Sequence, residues 1–120
     1  MAIPAEISNI IARLNQELTT IEQDATRGLN LLRSAIDLFP NADILVQFFA
    51  SLNNILFMAE NYKGQIQTIV ERISPDDVQA EVVQDAGEEL GDLLGRVLEA
   101  KIGMERIIAR LEDYNETATR

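Results

Sequence analysis

The chain has 120 residues, 20 acidic and 10 basic, a formal net charge of −10, and no cysteine, histidine or tryptophan. That length suits one domain with a real core. The missing cysteine excludes a disulfide framework, a thiolate nucleophile and a zinc finger, and the missing histidine removes the commonest general base and transition-metal ligand. The acidic balance argues against a dedicated nucleic-acid binder, which needs clustered Lys and Arg.

The first seventeen residues carry Pro4 and Glu6 and lack both a basic start and a long apolar run, so they do not read as a secretory signal. The most apolar stretch, 44–59, is interrupted by Gln47, Ser51, Asn53 and Asn54, and its sixteen residues fall short of a membrane span, which needs ~20. An amphipathic membrane-surface helix would want Lys and Arg on its polar face, the reverse of what is present. A cytoplasmic location is therefore expected.

Prolines 4, 40 and 75 divide the chain into three segments, as prolines punctuate helices. Each segment carries an apolar seam whose steps alternate between three and four. In the first it reads Ile7, Ile11, Leu14, Leu18, Ile21, Ala25, Gly28, Leu32, Ala35, Phe39. In the second it reads Leu45, Phe48, Leu52, Ile55, Ala59, Tyr62, Ile66, Ile69, Ile73. In the third it reads Val83, Ala86, Leu90, Leu93, Val97, Ala100, Met104, Ile107, Leu111, Tyr114. A 3.5-residue repeat held this long predicts helices packed at a shallow crossing angle, and nothing alternates with period two as a strand would.

The expected fold is all-α: an up-down-up bundle with helices at about 5–39, 42–73 and 75–114, joined by short turns that make neighbours antiparallel. Ser74-Pro75-Asp76-Asp77 reads as the start of the third helix, with Ser74 as cap, Pro75 in the first turn and two aspartates at the positive end of the dipole. Asn41 is expected to cap the second helix. Gly64 could end that helix as a left-handed cap, but the seam runs through in phase, which favours one continuous helix. Residues 115–120 are expected to fray.

The second helix is too apolar for a simple bundle member. With its seam on Leu45, Phe48, Leu52 and Ile55, residues Val46, Ala50 and Phe57 must point outward, and Leu31 and Leu38 are expected on the outer face of the first helix. Exposed apolar patches mark interaction sites, and these five residues are the candidate interface of a homodimer.

The charge is uneven. Residues 1–40 sum to −2, 41–73 to −1 and 74–120 to −7, and Asp76, Asp77, Glu81, Asp85, Glu88, Glu89 and Asp92 all precede the first base of that segment, Arg96. Asp77, Glu81, Asp85, Glu88 and Asp92 step by helical spacing and form one stripe. Such a stripe is either a solvated outer face or a docking surface for a basic partner or a cation, since like charges at this spacing repel. Further along, Arg96, Lys101, Arg106 and Arg110 interleave with Glu99, Glu105 and Glu112 as expected salt-bridge partners. Beside the stripe, Gly87, Gly91 and Gly95 recur every fourth residue, at ~1 kcal/mol each against alanine. They predict either loose packing and a kink or a groove for another helix.

Without His or Cys the available chemistry is that of carboxylates. Glu88-Glu89-Leu90-Gly91-Asp92-Leu93-Leu94 resembles the EELGDLL stretch of MazG-type nucleotide pyrophosphohydrolases, all-α enzymes that hold Mg²⁺ by carboxylates. The resemblance implies Asp85, Glu88, Glu89 and Asp92 as the metal-binding set. It covers seven residues, and the E-x-x-E pair that faces this one in the family occurs nowhere in the chain. Octahedral Mg²⁺ wants oxygens from more than one element. The preferred expectation is a non-enzymatic interaction or regulatory module that needs no cofactor, self-associates through the second helix and receives a partner on the acidic face of the third. The pyrophosphohydrolase and a purely structural subunit of a larger complex are the alternatives.

Overall fold

The structure, a computed structural model, describes residues 3–118. It is an all-α three-helix bundle: α1 (Ala5–Leu38), α2 (Asp43–Ile73) and α3 (Ala80–Ala118). The helices form a rod of 62 × 19 × 16 Å. Ile7 of α1 lies beside Gly87 of α3 at one end, and the ring of Phe39 after α1 meets Tyr114 of α3 at the other. No described helix is long and apolar enough to cross a membrane.

The predicted seams form the core. Leu14, Leu18, Ile21, Leu32, Leu45, Leu52, Ile73, Leu90, Val97, Met104 and Leu111 are fully enclosed, and no charged or polar side chain is buried among the described residues. Ile11, Ile55, Tyr62 and Ala100 are half-buried at the margins. The third seam departs from its predicted phase near its end. Ile108, not Ile107, is the buried residue, and burial then runs Met104, Ile108, Leu111. The exchange is local: Leu111 is again on the predicted seam, and α1 keeps its seam unshifted from Ile7 to Ala35. Gly28 matches this shift, since a β-carbon there would stand 3.2 Å from both Ile108 Cγ1 and Leu52 Cδ1. The close approach of three helices is made at Gly28.

The turns correct several expectations. Ser74 does not cap α3. It has helical angles, φ −74° and ψ −31°, and its hydroxyl donates back to the Val70 carbonyl at 2.6 Å, whereas a capping residue needs extended geometry and a hydroxyl directed forward. Residues 75–77 make a turn, Val78 packs half-buried against the core, and the Gln79 carbonyl accepts the first helical bonds, from the Val82 and Val83 amides. So α3 starts at Ala80, and Asp77 lies outside it. Asn41 does not cap α2 either: Ala42 occupies that position without a side-chain bond. α2 passes through Gly64 unbroken, as the seam implied, and no glycine has positive φ.

At its far end α3 continues to Ala118 rather than stopping near 114. Asn115 explains this, because its amide donates to Leu31 O at 3.2 Å and to Leu111 O at 3.0 Å. Fraying therefore does not begin at 115, and residues 119 and 120 lie outside the described residues.

Candidate interaction surfaces

The outward face of α2 is where the structure departs most from a self-sufficient bundle. Val46 and Phe57 are 65% and 66% exposed, and Ala50 is exposed between them. At 100° per residue, Val46, Ala50, Asn53 and Phe57 fall in one row about 60° wide, with Phe49 at its flank. Phe49, 52% exposed, was not singled out from the sequence, although it follows Phe48 and only one of two adjacent residues can occupy a seam. No charged residue occurs from Ile44 to Ala59. Asn53 turns its amide onto its own helix, donating to Phe49 O at 2.9 Å.

Two of the predicted interface positions separate. Leu38 is exposed at the end of α1, as expected. Leu31 is not on an outer face: it is half-buried and packs against the core, with its carbonyl bound by Asn115. That bond comes from the last turn of α3, which a helix ending at 114 would lack. Ile102 of α3 is a further exposed apolar residue that sequence reasoning passed over.

This end of the rod is also where the aromatics gather. Phe39 and Tyr114 meet edge to face with centroids 5.4 Å apart, and the Arg110 guanidinium lies 5.4 Å from the centre of the Phe48 ring. Phe39, Arg110, Asp113, Tyr114 and Thr117 line an open surface depression of about 310 Å³. A void of about 10 Å³ between Leu18, Ile55, Met58 and Val97 is apolar and too small to matter for a ligand.

The opposite end is acidic. Glu81, Asp85, Glu88 and Asp92 are all exposed on α3, and among the described residues none of the four is in an ion pair. Asp77 does not complete their stripe, because it sits in the preceding turn. The carboxylate set implied by the enzyme resemblance does not converge. Glu89 is met by a cation from α2: Arg72 Nη1 stands 3.3 Å and 3.4 Å from its two oxygens. Asp92 and Glu89 border one surface depression with Gln65, Ile69 and the cationic Arg96. Among the described residues no group of three or more acidic side chains is placed to hold a metal ion.

The glycines of α3 do not form a groove for another helix of this chain. Gly91 and Gly95 would meet nothing within 4 Å if given a β-carbon, and Gly87 would touch only the Ile7 side chain at 3.4 Å.

The charged residues of α3 also pair differently from expectation, reaching α1 rather than one another. Lys101 Nζ lies 2.9 Å from Glu17 Oε2, an oxygen sealed from solvent, and Arg27 Nη1 lies 3.1 Å from Glu112 Oε1. Lys63 of α2 pairs with Glu22 of α1. Hydrogen bonds to the partner carboxylates, Glu17 and Glu22, hold both lysines above their ordinary pKa of 10.5, against the opposing effect of desolvation.

No protein-family model matches the chain, and no curated protein or solved structure is found to resemble it.

Proposed function

We propose that the protein is a helical-bundle interaction module that self-associates through the uncharged first half of α2. The observation that carries this reading is the single row of Val46, Ala50 and Phe57, flanked by Phe49, exposed on a bundle whose core is otherwise closed. Isolated apolar residues on a surface need no explanation, but contiguous ones mark contact sites. Val46, Ala50, Phe49 and Phe57, with Leu38 exposed at the same end of the rod, offer roughly 400 Å² per copy. Interfaces are a little over half apolar, so this patch fits a contact of about 700 Å² per partner, close to the ~800 Å² of a standard specific interface.

The acidic face of α3 has a second place in the reading. Four exposed carboxylates at helical spacing repel one another, and a basic segment of a partner would relieve that repulsion. The pyrophosphohydrolase reading has no comparable support, since the group facing Glu89 is Arg72 rather than a second carboxylate pair.

Phe57→Ser tests the self-association. The residue is exposed, so the variant is expected to keep the helical circular dichroism of the parent. Losing one buried phenylalanine from an interface costs about 1.5–3 kcal/mol, and sedimentation equilibrium should show the dissociation constant rising ~10-fold or more. A variant that associates as tightly as the parent would remove α2 from the account.

A further inference from the structure

We propose that the occupant of the α2 face is a second copy of this chain lying antiparallel to the first, on a two-fold axis between Ser51 and Leu52. The dimer then carries its acidic ends at opposite poles. This rests on the self-association reading above and adds the identity and the direction of the partner.

The first support is the charge distribution along the rod. A void is bounded by Leu18 and Ile21 of α1, Met58 and Ala59 of α2, and Val97 and Ala100 of α3, so a cut beyond residues 20, 58 and 98 divides the three helices at one level. On the side of the α2–α3 turn the described residues carry eleven acids and four bases, net −7. On the other side they carry nine acids and five bases, net −4. Two rods side by side and parallel would gather both −7 ends at one pole of the dimer, where their like charges add. Antiparallel pairing about residues 51–52 overlaps the weakly charged halves and separates the acidic ends by the full length of the assembly. The uncharged run 44–59 lets two copies of a strongly acidic chain come into contact there.

The second support is the register of the row itself. A two-fold contact is self-complementary, with residue i against j and j against i. About this axis Phe57 faces Val46, and Asn53 faces Ala50. The largest side chain of the row therefore meets a smaller one, and the smallest, Ala50, sits near the centre, where the two backbones come closest. Parallel pairing would set Phe57 against Phe57 and Val46 against Val46, leaving a bulge at one level and a gap at the other.

The test is one small-angle scattering experiment on the wild-type chain, with the mass measured by light scattering on the same sample. A single chain has a mass of 13.4 kDa and a length of 62 Å. The proposal predicts twice that mass and a maximum dimension of about 85 Å, from the rise of 1.5 Å per residue between the axis and the acidic end. A dimer mass with a maximum dimension still near 62 Å would overturn the antiparallel arrangement and leave self-association standing. A monomer mass at about 100 μM, where even a weak dimer forms, would overturn both. A mass above that of a dimer would contradict the closed two-fold contact.

Discussion

The two halves of this rod share one kind of core and present opposite surfaces. Leu52 in one half and Leu90 in the other are equally enclosed by apolar side chains. Outside that core, the half with the α1–α2 turn shows Val46, Phe49 and Phe57 to solvent, while the half with the α2–α3 turn shows Glu81, Asp85, Glu88 and Asp92. Burial, which stabilises the bundle, is spread along its whole length. What distinguishes one end from the other lies on positions the core does not use, and that is where function is to be sought.

The shared core gives the largest expected effects. Leu52→Ala and Leu90→Ala should each lower stability by about 2–5 kcal/mol in urea unfolding, and by similar amounts, because both side chains have 0% exposure. A much smaller loss at one of them would show that the two halves are not packed alike.

The next effect belongs to the acidic half alone. Gly91→Ala and Gly95→Ala should each raise stability by up to about 1 kcal/mol, since nothing lies within 4 Å of the added carbon. A loss of stability would mean that another helix covers these positions in the assembled protein. Smaller again is the charge effect. Asp85→Asn with Glu88→Gln should stabilise by a few tenths of a kcal/mol through relief of like-charge repulsion, and the gain should shrink as salt is added. A gain that persists at high salt would point to something other than repulsion.

The smallest change is expected at alkaline pH. Lys63 and Lys101, paired with Glu22 and Glu17, have their folded pKa values raised above 10.5. Their contribution to stability is therefore complete below about pH 10.5 and is lost as pH rises through those raised values. Both pairs reach the surface, so solvent screening keeps the contribution modest. Thermal melts should be insensitive to these pairs near neutrality and decline above that window; a decline that begins below it would contradict the account.

Most of the architecture was legible in the sequence, because apolar spacing alone decides which face of a long helix is buried. The parts that were not legible are those where a local signal met a tertiary one. Ser74-Pro75-Asp76-Asp77 has the composition of a helix start, yet Val78 has a place in the core, and packing it delays α3 to Ala80. Asn115 looks like the beginning of a frayed tail, but a bond to Leu31 O, 84 residues away in sequence, ties the last turn of α3 to α1. Ile108 takes the buried place expected for Ile107 because it packs against Gly28 of α1, a contact that spacing within α3 does not announce. Of the candidate surfaces, the outward row of α2 could be read directly, since Val46, Ala50 and Phe57 lie farthest round the helix from its seam, whereas off-seam residues nearer the seam, such as Ile44 and Leu56, are half-buried. The neighbours of Glu89 could not, because no spacing in the chain announces that Arg72 will stand opposite it.

The central claim is that the uncharged half of α2 holds two copies together. The most direct measurement is the mass of the wild-type protein by light scattering through a dilution series. The account predicts twice 13.4 kDa at the concentrated end, falling smoothly toward the single-chain value on dilution. A mass that stays at 13.4 kDa throughout would contradict it.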